Sequence, residues 1–341
     1  MKRMTALALA VAVVGLAQAG DGLVSTPPEH RRGEEQTFLS FPEWFLVHSP
    51  AELARYMALQ RAPSEFPWGG HVAQFWQGYR GVTRETSKYP FNAGYHLMVS
   101  VIGTSTTVEY GLKAAYEGTV GRLAEASVEG PPTDEDKLAA RVAQQYVDFI
   151  RVDPWYLFDF ITPLHELWSL RASSPSLLRR WERRFALSTE YLVKAGYAWL
   201  IKLGTQSIYE AARPVTAIVL DRAPRPLPHA LPELHRIAGA DDAVVVTVPR
   251  YRAFMFYAQA LAEQGASFRE VAGNRGPMLA SVIVRSDSAA PTPPQRSLFV
   301  QPILTQPGWE RRVVAVPATE LAAQLRRWRA ADAQLEHLYD Y

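Results

Sequence analysis

The 341-residue chain contains no cysteine. That excludes disulfides, thiolate metal sites and a lipid-modified cysteine anchor. Charge of one sign is also lacking: 36 Lys and Arg face 34 Asp and Glu, and leaving out Lys2 and Arg3 makes the two equal. A nucleic-acid binder would carry a basic excess or stripe, so nucleic acid is not an expected partner. The densest basic cluster, RRWERR at 179–184, is interleaved with acid and tryptophan and reads as a solvated helix face. Beyond the N-terminus no run of uncharged apolar residues is long enough for a membrane span, which needs ~20 residues, and a polytopic membrane protein is not expected. The glycine-rich phosphate loops are absent. VIGTSTTVEY at 101–110 has Gly103 and Ser105 without the second glycine of a serine-hydrolase elbow. His-Glu-x-x-His and the paired Glu-x-x-His of di-iron bundles are missing too. His48, His71, His96 and His165 therefore read as hydrogen-bonded structural residues, with no metal or other cofactor.

The N-terminus is distinctive. Lys2 and Arg3, an apolar stretch from Ala6 to Leu16, and Ala17-Gln18-Ala19 have the layout of a signal peptide over residues 1–19. The mature chain is expected to begin at Gly20 and to reside in the periplasm or cell envelope. An uncleaved anchor in the inner membrane is the alternative.

Residues 20–36 have Gly, Pro and charge without periodicity and read as a flexible lead-in. Residues 37–212 read as an aromatic-rich helical domain. Ser49-Pro50-Ala51-Glu52 has the form of a helix start. Val101, Val108, Leu112 and Ala115 share one helical face, and Thr133 caps the next helix ahead of three acids. Residues 213–241 read as a proline-rich connection with one strand. From 242 to 341, β-branched runs alternate with one helix at 250–265 and a last helix from Ala318 to Tyr339. The fold class is therefore helical, then α+β. The C-terminal domain is expected to be ferredoxin-like, an antiparallel sheet with two helices. Arg250 and Arg252 at a strand-to-helix turn read as solvated. The terminal LEHLYDY would serve as a docked terminus or a partner-binding tail.

EYGLKAAY at 109–116 recurs as EYLVKAGY at 190–197. On helices, Glu109, Lys113 and Tyr116 share a face, as do Glu190, Lys194 and Tyr197, with each Glu four residues before its Lys. Two exposed intrahelical pairs would stabilise the chain by tenths of a kcal/mol. Two helices packed as a pseudo-symmetric pair would instead bring both Glu and both Lys together, in a pocket with tyrosine walls. The second helix, rich in Leu, Val, Ile and Trp, is expected to bury its pair more deeply than the first. Three functions fit these features. The first is a non-enzymatic envelope protein binding an apolar small molecule or lipid, a membrane surface or an envelope partner through its aromatic helices. The second is an enzyme with a Glu/Lys/Tyr site between the repeats, and the third is a purely structural interaction protein.

Overall fold

The computed structural model describes residues 24–128, 131–171, 176–205, 215–221, 231–239, 243–288 and 297–341. Residues 1–19, read as a signal peptide, lie outside these, and so does the choice between cleavage and anchor.

The first half is helical: α1 (Gln36–Leu39), α2 (Phe41–Ala58), α3 (Trp68–Thr86), α4 (Ala93–Tyr116), α5 (Arg122–Glu125), α6 (Asp134–Ile150), α7 (Ile161–Ser169) and α8 (Leu177–Thr205). The expected cap at Thr133 forms a full capping box with Asp136, and the Asn92 side chain accepts from Tyr95 N to start α4. A single π turn, Glu117–Gly121, separates α4 from α5. Ser49 does not start a helix. α2 runs through Pro50, and the Ser49 hydroxyl bonds His71 Nδ1 (3.0 Å) and Tyr110 OH (2.7 Å).

The second half contains β1 (Val215–Leu220), β2 (His235–Gly239), β3 (Val244–Pro249), α9 (Arg252–Glu263), β4 (Phe268–Val271), β5 (Pro277–Arg285), β6 (Ser297–Pro302), β7 (Trp309–Pro317), α10 (Ala318–Ala330) and β8 (Gln334–Tyr339). They form two antiparallel four-stranded sheets, ordered β2-β3-β1-β4 and β6-β7-β5-β8. Each sheet is one βββαβ unit with the same strand order. The irregularities match as well. β4 skips Arg269 opposite Val219/Leu220, and β8 skips Glu336 opposite Ser281/Val282. β2 skips Ile237 opposite Val246/Val245, and β6 skips Leu298 opposite Val314/Val313. VVTVP at 245–249 recurs as VVAVP at 313–317, ending β3 and β7 respectively. Bulges are placed features rather than defects, so their coincidence marks an internal duplication. α9 and α10 fill the space between the sheets, where Phe254, Leu261, Leu321 and Trp328 meet Ile218, Val246, Met278 and Val314.

Three expectations are corrected. Within 213–241, the described residues hold the one expected strand, β1, between β3 and β4, and a second strand, β2, at the edge of the first sheet. The final helix stops at Ala330. After a turn with Asp332 at φ 52°, the chain becomes β8, whose bulge at Glu336 lets Leu335 and Leu338 join the core between the sheets while His337 and Tyr339 face the helices. With β2 and β8 added, the element order is βββαβ twice, which differs from the βαββαβ order of a ferredoxin-like unit.

The terminus is docked: Arg250 donates to Asp340 Oδ2 and Tyr341 O, each at 3.0 Å, so Arg250 is not simply solvated. Residues 24–36, expected as a flexible lead-in, are pinned. Thr26 N donates to buried Glu270, and Arg32 reaches the carbonyls of Val215 and Tyr341. The helices meet the second sheet where Phe38, Phe41 and Val82 pack on Leu279, Val313, Phe299 and Tyr339.

Candidate functional site

The two octapeptides come together. α4 and α8 run antiparallel here, because Glu109 faces Lys194 and Lys113 faces Glu190. Lys113 Nζ lies 2.8 Å from Glu190 Oε1 and 3.2 Å from Glu109 Oε1. Lys194 Nζ lies 2.7 Å from Glu190 Oε1 and 3.4 Å from Glu109 Oε1. The exchange is reciprocal, as a two-fold relation between the helices requires. Burial alone would raise the Glu190 pKa, yet the two ammonium groups hold it well below the usual carboxylate range. The same environment raises Lys194 well above its ordinary value: burial would lower it, and the two carboxylates more than offset that. With Glu190 held down and Lys194 held up, these two groups are poorly suited to general acid–base work near neutral pH.

Two details differ from expectation. The lysines are equally covered, with side chains 20% and 21% exposed, so the deeper burial expected of the second pair is found only at its acid, with Glu190 at 27% against Glu109 at 42%. The walls are also different tyrosines. Lys113 stands over the Trp68 ring at 5.3 Å, and Lys194 over Tyr146 at 5.2 Å and Phe160 at 5.9 Å. Tyr116 faces Phe185, and Tyr197 lies half exposed beside Trp155.

The RRWERR cluster is not a solvated face. Arg179, Glu182, Arg183 and Arg184 are buried, while Trp181 between them is 60% exposed. Arg179 pairs with Asp136 (2.9 Å), Arg183 with Glu117 of the π turn (2.9 Å), and Arg184 with Glu135 (3.0 Å). On α4, the Val101, Val108 and Leu112 face points outward and is exposed. On α8, Leu178, Phe185, Leu192, Trp199, Leu200 and Leu203 do the same. More than half of the exposed large apolar side chains among the described residues lie on these two helices. The pair is inside-out, with charge turned inward and hydrocarbon turned to the surface. The sequence carried this signal: Arg179, Arg183, Glu190 and Lys194 share one side of α8, as do Trp181, Phe185, Leu192 and Trp199 on the other. Only the choice of which side faces the core was unreadable.

A second polar cluster joins the helices to the second sheet. Arg311 on β7 bonds Glu52 on α2 (2.9 Å) and Glu336 on β8 (2.8 Å). His48 Nε2 meets Tyr339 OH at 3.2 Å. Burial pushes His48 down to about 4 and His71 down to about 3. Ser49, His71 and Glu52 have the residue types of an acyl-transfer triad, with His71 Nε2 3.6 Å from Glu52 Oε2. Each is about 1% exposed, and Ser49 Oγ is already engaged by Tyr110, so a carbonyl substrate has no approach to it. Among the described residues no group of three or more His, Asp or Glu is placed to hold a metal ion. Comparison with protein-family models, with curated proteins and with solved structures finds no match.

Proposed function

We propose that this is a non-enzymatic protein of the cell envelope whose helical half uses the outward face of α4 and α8 as a docking surface for an apolar partner. The observation that carries the reading is the inverted polarity of the two helices. Isolated exposed leucines are ordinary, but contiguous apolar patches larger than a few hundred Å² on soluble chains mark interaction sites. Here the ionisable groups that would have kept such helices wet are turned inward and paired. The duplicated sheet half, tied to the helices through Arg311 and the Phe38–Phe41 contacts, supplies a rigid platform for that face. The layout of residues 1–19 supports export, with a mature N-terminus at Gly20. The charged square supports binding over catalysis, because Glu190 and Lys194 are held in their charged forms. The test is sedimentation of the purified chain in buffer with and without a non-ionic detergent. Detergent binding or self-association relieved by Leu192→Ser with Leu200→Ser is expected. A wild-type chain that stays monomeric and takes up no detergent overturns the reading.

A further inference from the structure

Resting on that docking face, we infer that its occupant is a lipid bilayer surface, on which α4 and α8 lie in the plane of the membrane. Three observations favour lipid over protein. First, a protein partner requires hydrogen-bonding groups, about one bond per 100–200 Å² of interface, whereas hydrocarbon requires none. Glu109 and Lys113 are the only Asp, Glu, Lys or Arg on α4, and both are committed to the square. Its exposed polar side chains are the hydroxyls Ser100, Thr104 and Ser105, of which Ser100 already donates to His96 O. Its one histidine, His96, is stacked under Phe91 and bonded to Tyr79 OH at 2.8 Å. Paired ions facing inward with apolar residues facing outward is the arrangement a lipid environment imposes.

Second, tryptophan marks both ends of the α8 stripe. Trp181 and Trp199 are each 60% exposed. Eighteen residues is five full turns at 3.6 residues per turn, so they project from the same side, about 27 Å apart at 1.5 Å per residue. Trp168 packs beside Trp181 with ring centres 6.0 Å apart. Amphipathic indole rings favour the headgroup boundary. Third, among the described residues no helix is long and apolar enough to cross a membrane. A face of this kind therefore fits onto the boundary rather than through the bilayer, as interfacial helices do.

The competing occupant is a second copy. A Cβ added at Gly111 or Gly196 would meet nothing within 4 Å, which leaves room for close helix approach. Tryptophan fluorescence of the full chain with vesicles of equal parts phosphatidylcholine and phosphatidylglycerol separates the two. Vesicles brominated on the acyl chains should quench emission where plain vesicles do not. Trp181→Phe with Trp199→Phe should remove most of that quenching. Leu192→Glu with Leu200→Glu should weaken vesicle association by at least about tenfold with an unchanged melting temperature, since both positions are exposed. Absence from vesicles together with detergent uptake overturns the lipid inference and leaves the docking face standing. A concentration-dependent dimer that excludes vesicles and is abolished by Gly111→Leu assigns the face to a second copy. A chain that stays monomeric and binds neither detergent nor vesicles removes both readings.

Discussion

Glu52 on α2 and Arg311 on β7 stand 2.9 Å apart, each about 1% exposed, and join the helical half to the second sheet. Arg311 also holds Glu336, whose carboxyl burial alone would raise but which the guanidinium keeps down at about 2. Arg311→Met leaves two carboxylates in a dry interior, and a loss of about 3–5 kcal/mol is expected from denaturant melts. Removing both partners, as in Glu52→Gln with Arg311→Met, should cost less than the sum of the single changes. Strict additivity would show that the two groups do not interact.

Acid should weaken this junction before it weakens an ordinary carboxylate pair. His48 and His71 have folded values near 4 and near 3, both below 6.5, with burial the main cause. The unfolded chain therefore binds their protons first. Their contribution is full above about pH 6.5 and is lost progressively as pH falls toward 4 and 3. Glu336 and Glu190, held below their ordinary values, add to the loss only below about 4.5. Glu52, raised chiefly by burial, works in the opposite direction. The melting temperature should begin to fall just below pH 6.5, and His48→Asn with His71→Phe should make the fall above about 4.5 shallower. What remains is the share of His337, which burial also holds well below 6.5, offset in part by Glu43, which burial raises to about 6. A wild-type curve already flat to pH 4.5 would mean that the histidines are accessible in the native state.

Much of the backbone was legible in the sequence because each element obeys one local rule. Thr133 and Asp136 announce α6, and the β-branched runs announce β1 and β3 to β7. The elements missed lack such a rule. β2 is a short exposed edge strand among prolines, and β8 follows a helix without a glycine or proline to mark the change. The meeting of Glu109, Lys113, Glu190 and Lys194 was legible from the repeat. Their true aromatic neighbours, Trp68 and Phe160, come from distant elements and carry no shared pattern. The polarity of α8 was read the wrong way round at RRWERR, since a helix segment with one charged and one apolar side ordinarily wets the charged one.

Glycines on the two sides of α4 should behave oppositely. A Cβ at Gly103 would fall 2.4 Å from the Phe75 ring and 2.8 Å from that of Trp76. Gly103→Ala must push apart a packed aromatic pair and should cost about 1–3 kcal/mol. A Cβ at Gly111 meets nothing within 4 Å, so Gly111→Ala should stabilise the free chain by about 0.5–1 kcal/mol through helix propensity. Thermal melts of the two variants check both signs, and a destabilising Gly111→Ala would mean that this side of α4 is already covered in the purified protein.

The charged square permits the sharpest test, because its near-symmetry makes a quantitative demand. Lys113 and Lys194 are equally covered and each touches both carboxylates. Lys113→Met and Lys194→Met should therefore cost nearly the same, about 1.5–3 kcal/mol each, the range of hydrogen bonds to charged groups. The asymmetry lies between the acids. Glu109 has a side chain 42% exposed, against 27% for Glu190, and Glu190 accepts the two shortest contacts. Solvent can take over much of the work at Glu109, so Glu109→Gln should cost below about 1 kcal/mol, with Glu190→Gln clearly more. A double-mutant cycle between Lys113 and Glu190 should show a coupling of at least about 0.5 kcal/mol, as between residues in direct contact. Their side chains belong to helices 77 positions apart in sequence, so the coupling reports the tertiary pairing of the two octapeptides and not helix propensity. A cycle within about 0.3 kcal/mol of zero would mean that α4 and α8 do not meet at the repeat. The inward pairing that leaves their outer faces free of charge would then lose its basis.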